Sequence, residues 1–484
     1  MSTPSKNIMW LSISRVVSLV LLFLAYTQLF RYLGPVGSGQ FQFVLSFSTL
    51  FGVVIDFGIQ QYIIKRISED RSKAKTFFHN FLAVEAVLAV LVYGTMMLIA
   101  YLNGYEPIVL KAIAVSGFGM AMHGLTYPFL AVVTAFYDLK KAAFLNFLAS
   151  AINVAIIFLT IYVGGNIVML TSQQVIYSAL ALIIYYQFVK KYIGAPEIIA
   201  GLRRLDYGLI RLILKSALPF AMLVGFSTIY NRIDVVLITK ILGYKETGLY
   251  TAAYKSFDLL AFFPAVVSHS LYPLFASLMS ENNIAAVRVT LERYLRFMSA
   301  VALPMATGGM LLSVPIIRIL AGDEFINSAP VLAVLVWAPA ILFIYIVVNS
   351  LVISQLTKFA TIITGVNVVV NIVGNLILLP RVGIVGAAIM TIVSEALQGI
   401  FYFYFVKTKI TQFTFFANLW QPFIASALMG VAVYFLRDLF VVIPILVGML
   451  VYALALFVLG FFKKDDWNFA MKLLRRNYEP EPKN

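Results

Sequence analysis

Apolar runs of about 20 residues recur along this whole chain, and that recurrence leaves little choice of fold. A helix needs about that length to cross a bilayer, and lipid offers the backbone no hydrogen-bond partner, so each crossing segment must satisfy its own backbone. Fourteen candidate spans can be marked: 8–30, 41–63, 77–101, 109–136, 142–162, 171–189, 213–239, 250–272, 294–320, 330–353, 359–379, 384–406, 419–436 and 441–462. The least sharply defined are 171–189 and the division between 359–379 and 384–406. Of the 484 residues 62% are hydrophobic and 12% charged, against about half and a quarter in soluble domains. The expected fold is therefore an all-α polytopic membrane protein.

Several function classes are excluded. There is no Cys, hence no disulfide and no thiolate metal site. The three histidines, His79, His123 and His269, are too scattered for a histidine metal centre. No Gly-rich phosphate loop and no His-Glu-x-x-His occurs. Energy for any transport must come from an ion gradient, the membrane potential or consumption of product. The net charge of +15 would suit nucleic acid or anionic lipid. The cations lie between apolar runs and form no compact basic domain, which points to membrane lipid and away from nucleic acid. The N-terminus, MSTPSKNIMW, lacks a small-residue cleavage site and runs into a long apolar stretch, so a retained first span is expected. With a cytoplasmic N-terminus about 26 of the 36 cations fall inside, an asymmetry that sets orientation. They include those of KRISEDRSKAK (65–75) and of the tail KKDDWNFAMKLLRRNYEPEPKN. An even number of spans makes the C-terminus cytoplasmic too.

One short pattern is written twice. FRYLGPVGSGQF (30–41) and TKILGYKETGLY (239–250) each place a cation, Leu-Gly, a second Gly and an aromatic in the same order. Gly34 and Gly243 stand 209 positions apart, as do Gly39 and Gly248. Both turns are expected on the external side, where Gly allows a tight connection. The interval covers six spans, so both copies insert in the same direction, as a parallel repeat about the membrane normal. The expected division is a first six-helix lobe (1–195), a cytoplasmic connection (196–212), a second six-helix lobe (213–406), and spans 13–14 with a basic tail (407–484).

Ionisable groups within spans cost about 2.5–3.5 kcal/mol each on the insertion scale and rarely face lipid. Arg15, Asp56 and Glu85 fall at similar depth in the inner half of spans 1 to 3 and, if they face one another, form a charged cluster. Arg232 and Asp234 lie in the outer half of span 7, Lys255 and Asp258 enter span 8 from outside, and His123 and Glu395 fall near mid-membrane. Such groups can equally be neutralised structural pairs, and Lys215 and Lys255 can snorkel to headgroups. Asn367, Asn371 and Asn375 recur every four residues on span 11. They either line a polar path or hydrogen-bond helix to helix. Pro219, Pro264, Pro304, Pro315 and Pro339, with Gly308 and Gly309, sit in or beside spans, where broken helices permit bending.

Four stretches resemble the polysaccharide and O-antigen flippases, within the superfamily that also holds the multidrug extruders and the lipid II flippase. They are RYLGPVGSGQFQFVLS (31–46), DFGIQQYIIKRISEDRSK (56–73), NRIDVVLITKILGYKETGLYTAAYK (231–255) and NVVVNIVGNLILLPRVGIVGAAIMTIVSE (367–395). No single motif is specific; their order and spacing across the chain are. The resemblance implies two six-helix lobes around a central cavity and a sugar chain carried on a polyprenyl phosphate or diphosphate. It implies residence in the cytoplasmic membrane as a monomer, beside glycan polymerase or transferase machinery. It implies no cofactor, with coupling, if any, to a proton or sodium gradient. An anionic headgroup needs cations, and guanidinium binds phosphate bidentately; Arg15, Arg232 and Lys255 are the phosphate-binding candidates. Asp56, Glu85, Asp234, Asp258 and Glu395 are the ion-coupling candidates, and Asn367, Asn371 and Asn375 the polar path. A cation-coupled drug extruder would want acids without arginines in its cavity. A membrane glycosyltransferase or polymerase would want a sizeable loop with catalytic acids.

Overall fold

The computed structural model describes residues 4–136, 139–194, 205–355, 357–414 and 419–461. Every regular element among them is helical. The helices are α1 (Pro4–Asp56), α2 (Ile59–Glu69), α3 (Ala74–Leu102), α4 (Pro107–Gly124), α5 (Tyr127–Ala135), α6 (Leu139–Tyr162), α7 (Ile167–Ile193), α8 (Tyr207–Leu242) and α9 (Tyr244–Ser280). They continue as α10 (Ile284–Leu311), α11 (Ser313–Ala321), α12 (Ala329–Leu335), α13 (Trp337–Gln355), α14 (Thr357–Val382), α15 (Ile384–Lys409), α16 (Trp420–Leu436) and α17 (Val442–Val458).

Polar residues at the helix ends supply what lipid cannot. The side chains of Asn166, Asp206 and Asn283 accept the backbone N–H groups of Val168, Leu209 and Ala286 at 3.0, 2.9 and 3.2 Å, satisfying donors left over in the first turn. α8 stops at Gly243, whose φ of 91° is a conformation that side chains with a Cβ resist.

Nine of the described helical segments are long and apolar enough to span a membrane, or ten if α10 and α11 form one broken span. The fourteen expected spans are thus not matched one for one. Expected spans 8–30 and 41–63 lie on one continuous stretch, where two helical arms of α1 meet at Gly34 (φ 63°, ψ −177°). Expected spans 13 and 14 appear as α16 and α17, each of 17 residues. At a rise of about 1.5 Å per residue these are short for a hydrocarbon core of about 30 Å. The basic tail from 462 onward and most of the 196–212 connection lie outside the described residues.

The chain forms two compact units. One contains Met1–Lys255, Arg318–Ser328 and Thr361–Met390; the other contains Ser256–Ile317, Ala329–Ala360 and Thr391–Asn484. In the first, a core of Ile63, Phe78, Phe81, Phe129, Val132 and Tyr185 joins α2, α3, α5 and α7. In the second, Ala302 and Ala306 of α10 pack with Ala340 and Phe343 of α13. Tyr452 of α17 donates its hydroxyl to the Ala300 carbonyl at 2.7 Å.

Candidate functional site

The repeated glycines are where the first unit is most tightly built. A Cβ on Gly39 would stand 1.8 Å from the carbonyl oxygen of Tyr244, and one on Gly248 would stand 1.9 Å from that of Pro35. The second glycine of each turn therefore presses against the residue that follows the first glycine of the other copy. The cations of the two copies reach other segments of the same unit. Arg31 donates to the Ile319 carbonyl at 2.9 Å. Lys240 donates to Asn103 Oδ1 at 2.6 Å and lies 4.6 Å from the Tyr105 ring centre. The sequence suggested turn formation for all four glycines; for Gly39 and Gly248 the structure requires close approach instead. Burial raises the pKa of the Tyr105 phenol, in the loop after α3.

Two residues beyond Arg232 on α8, Asp234 is buried and accepts from Tyr250 at 3.2 Å and from Asn375 Nδ2 at 2.9 Å. The same Nδ2 donates to Asn371 at 3.1 Å. Asn367, Asn371 and Asn375 are all buried on α14. Helical spacing placed these asparagines on one face in the sequence; their link to Asp234, 141 positions away, carried no sequence signal. Tyr250 belongs to the Gly-x-Tyr of the third resembling stretch and had no role assigned to it. Arg232 is exposed and pairs with no acid among the described residues. About 200° of helical turn separates it from Asp234, so the two do not form a pair.

Lys255 is half-buried, with its ammonium 4.3 Å from the Tyr26 ring centre. Asp258 is exposed and belongs to the second unit. Glu395, also in the second unit, is buried and accepts a hydrogen bond from the hydroxyl of Tyr345. The Tyr345 ring packs 5.8 Å from that of Tyr402, and Gln398 donates to the Tyr402 hydroxyl at 3.1 Å. A groove of about 780 Å³ lies beside this network, lined by Ile341, Ile344, Tyr345, Ile400 and Phe403, with Lys407 on its wall.

Of the three residues expected in the inner cluster, Asp56 and Glu85 have described side chains. The Arg15 side chain lies outside the described residues. Asp56 ends α1 at a helix break, where Phe57 and Gly58 have φ of 43° and 66°. Its Oδ1 accepts the Gln60 N–H at 3.2 Å. Glu85 is wholly buried on α3, and neither carboxylate oxygen has a hydrogen-bond partner among the described residues. Among the described residues no cation is paired with Glu85. His123 packs against the rings of Tyr127 and Tyr177 at 5.2 and 5.7 Å. In the loop after α2, Asp70 accepts from Ser72 Oγ at 2.6 Å and faces Lys73 at 3.1 Å. Those contacts hold its pKa below the usual carboxylate value, with the Ser72 bond foremost. Among the described residues no group of three or more His, Asp or Glu could hold a metal ion.

Helices this long and apolar define a multi-pass membrane protein. The fold is similar to that of the lipid II flippase MurJ in an inward closed conformation, with a TM-score of 0.73 at 18% identity over 92% of this chain and 98% of that one. It is also similar to an inward-facing multidrug MATE transporter, with a TM-score of 0.64 at 14% identity over 84% and 98%. The chain belongs to the polysaccharide biosynthesis protein family, which it matches over residues 5–279. A probable low-salt glycan biosynthesis flippase, Agl15 of Haloferax volcanii, is 23% identical over 91% of this chain and 93% of its own. An uncharacterized membrane protein of Methanocaldococcus jannaschii is 22% identical over 94% of each.

Proposed function

We propose that this protein is a flippase that moves an oligosaccharide linked to a polyprenyl phosphate or diphosphate from the cytoplasmic to the external leaflet, for assembly of a surface polysaccharide or glycan. The observation that carries the proposal is family membership joined to near full-length similarity to a glycan flippase. The protein works in the cytoplasmic membrane, with both termini cytoplasmic. Residues 1–195 and 213–406 act as two six-helix lobes that rock about the substrate, while the lipid tail stays in the bilayer.

Arg232 is the phosphate ligand best supported by its surroundings. It is an exposed guanidinium on a spanning helix with no acid paired to it among the described residues, free to offer its planar fork to a phosphate. Arg15 and Lys255 complete the anionic-headgroup set. Lys255 lies over an aromatic face, a contact that a phosphate oxygen can replace. Asp234, on the helix that carries Arg232, serves with Asn371 and Asn375 of α14 as an ion-responsive polar cluster. Asp258 and Glu395 serve the same coupling in the second unit.

The test is a leaflet-specific assay of lipid-linked sugar in cells lacking this protein. Accumulation confined to the cytoplasmic leaflet, relieved by the wild-type gene, supports the reading. Normal external delivery together with raised sensitivity to cationic drugs would instead assign the protein to multidrug extrusion, the alternative suggested by its MATE-like fold.

A further inference from the structure

α15 carries a stripe of side chains that the flippase reading leaves unused. Ala396, Gly399, Ile400, Phe403, Tyr404 and Lys407 follow one another at steps of one and three residues, which puts them on one face of the helix. All six line the groove of about 780 Å³ beside α13. Eleven steps separate Ala396 from Lys407. At about 1.5 Å each they cover about 16 Å, close to half of a hydrocarbon core of about 30 Å. The groove is thus as deep as one leaflet, with a cation at one end.

Each part of it has a local cause. At the deep end the Tyr345 ring lies against Gly399, where a Cβ would stand 3.2 Å from Tyr345 Cδ1. The Tyr345 hydroxyl is given to Glu395, and that acid is not part of the lining. Ile341 and Ile344 of α13 form the facing wall. Ile400 and Tyr404 are 64% and 61% exposed, so the groove opens outward. At the other end the N–H groups of Ile410 and Thr411 donate to the Val406 carbonyl, and Gln412 Nε2 donates to that of Lys407 at 3.0 Å. These bonds satisfy carbonyls left over in the last helical turn, and the exposed side chain of Lys407 stands at the mouth. Phe413 and Thr414 form the lip. The Thr414 N–H donates to Glu292 at 3.1 Å, and Arg288 donates to the same carboxylate at 3.2 Å.

We infer that this groove holds one chain of a resident anionic phospholipid, with its phosphate at Lys407 and the Tyr404 ring beside it. Entering an apolar groove gains a lipid chain little hydrophobic free energy, because the surrounding tails are equally apolar. Selection therefore falls to the headgroup. An ammonium attracts a phosphate, and basic pockets between spanning helices take anionic headgroups. Tyrosine suits the headgroup level, with an apolar body and a polar tip. The one-leaflet depth matches a phospholipid chain and is short for a carrier polyprenyl chain. In the first unit, a groove of about 500 Å³ among Leu82, Phe129, Ile183 and Tyr186 has no cation in its lining, so nothing there selects a charged headgroup. A chain seated between α13 and α15 would brace the contact of Tyr345 with Glu395. The inference does not rest on the flippase reading.

The test is native mass spectrometry of the full chain, released from micelles that contain dioleoyl phosphatidylglycerol or dioleoyl phosphatidylcholine. The wild type should retain a first phosphatidylglycerol at concentrations where phosphatidylcholine is lost. Lys407→Gln should weaken that retention about fivefold, the worth of one lysine at an anionic headgroup, and leave phosphatidylcholine unchanged. Lys407→Arg should preserve it. Lys190→Gln, which removes an exposed cation from α7 in the first unit, should behave as wild type. Ala396→Phe, which fills the deep end, should lower retention of phosphatidylglycerol while Lys407 is intact. Equal retention by the wild type and Lys407→Gln would overturn the inference. So would displacement of phosphatidylglycerol by equimolar polyprenyl phosphate, which would assign the groove to the substrate's chain. A dimer that forms in place of the lipid-bound monomer would also overturn it and assign the groove to a second copy. Selective retention by a protein that moves no lipid-linked glycan would uphold the lipid site and refute the flippase function.

Discussion

Replacing Gly248 with Ala should open the contact between the two repeated turns. The added methyl would lie 1.9 Å from the Pro35 carbonyl oxygen, 2.8 Å from its carbon and 3.1 Å from the Gly39 nitrogen. All three are backbone atoms and cannot swing aside. Restoring ordinary carbon contacts of about 3.5 Å requires the two segments to part by more than an ångström. Overpacking of this kind costs about 1–3 kcal/mol, and each 1.4 kcal/mol is about tenfold in a population ratio. The arrangement in which the two turns touch should therefore lose roughly five- to 150-fold of its preference. The chain has no cysteine, so one introduced thiol reports cleanly. Ser38 is 2% exposed, and its hydroxyl makes no hydrogen bond, which makes Ser38→Cys a mild probe. A membrane-impermeant maleimide added outside should label it slowly in the parent and at least tenfold faster with Gly248→Ala or Gly39→Ala. Gly94→Ala is the control, because a Cβ there meets nothing within 4 Å. Unchanged labelling in both turn variants, at normal protein levels, would refute the reasoning.

Other expectations follow from the site. Arg232→Ala should lower flipping by about 10- to 150-fold, the worth of one charge-assisted hydrogen bond of about 1.5–3 kcal/mol, without loss of protein. Arg232→Lys should recover part of it, because Lys lacks the planar fork. Asn375→Leu removes a donor from buried Asp234 and should cost about 1–3 kcal/mol, read as a lower melting temperature in detergent; Asp234→Asn should restore much of the loss in that background. Asp70, held below its usual pKa by Ser72 and Lys73, contributes order to its loop above the ordinary carboxylate pKa and loses it as pH falls through the depressed value. Hydrogen exchange in the peptide 65–75 should quicken across that acid window in the wild type, and Asp70→Ala should abolish the step.

The sequence disclosed what depends on local pattern. Apolar runs marked the spanning helices, and the 209-residue echo marked the two turns that meet. It could not say that Gly39 and Gly248 serve close approach, because a glycine written for a turn and one written for packing look alike. The partners of Asp234 and Glu395 were hidden for another reason. Tyr250 is 16 positions from Asp234 and Tyr345 is 50 from Glu395, and tyrosines are too common here for any one to stand out. The break after Asp56 had a visible Gly58, yet the left-handed backbone at Phe57 has no local signature. Glu85 was conspicuous as an acid within an apolar run, but its complete burial is a property of the folded helices alone.

The most direct test is flipping by the purified protein in sealed vesicles. A short oligosaccharide on a polyprenyl diphosphate is placed in the membrane, and an impermeant sugar-modifying enzyme is added to one side. If the protein is a flippase, the protected pool becomes accessible with time only in vesicles that contain it, and Arg232→Ala slows this sharply. A protected pool that stays protected with active, folded protein, while an amphipathic cationic drug crosses the same vesicles, would contradict the proposed function.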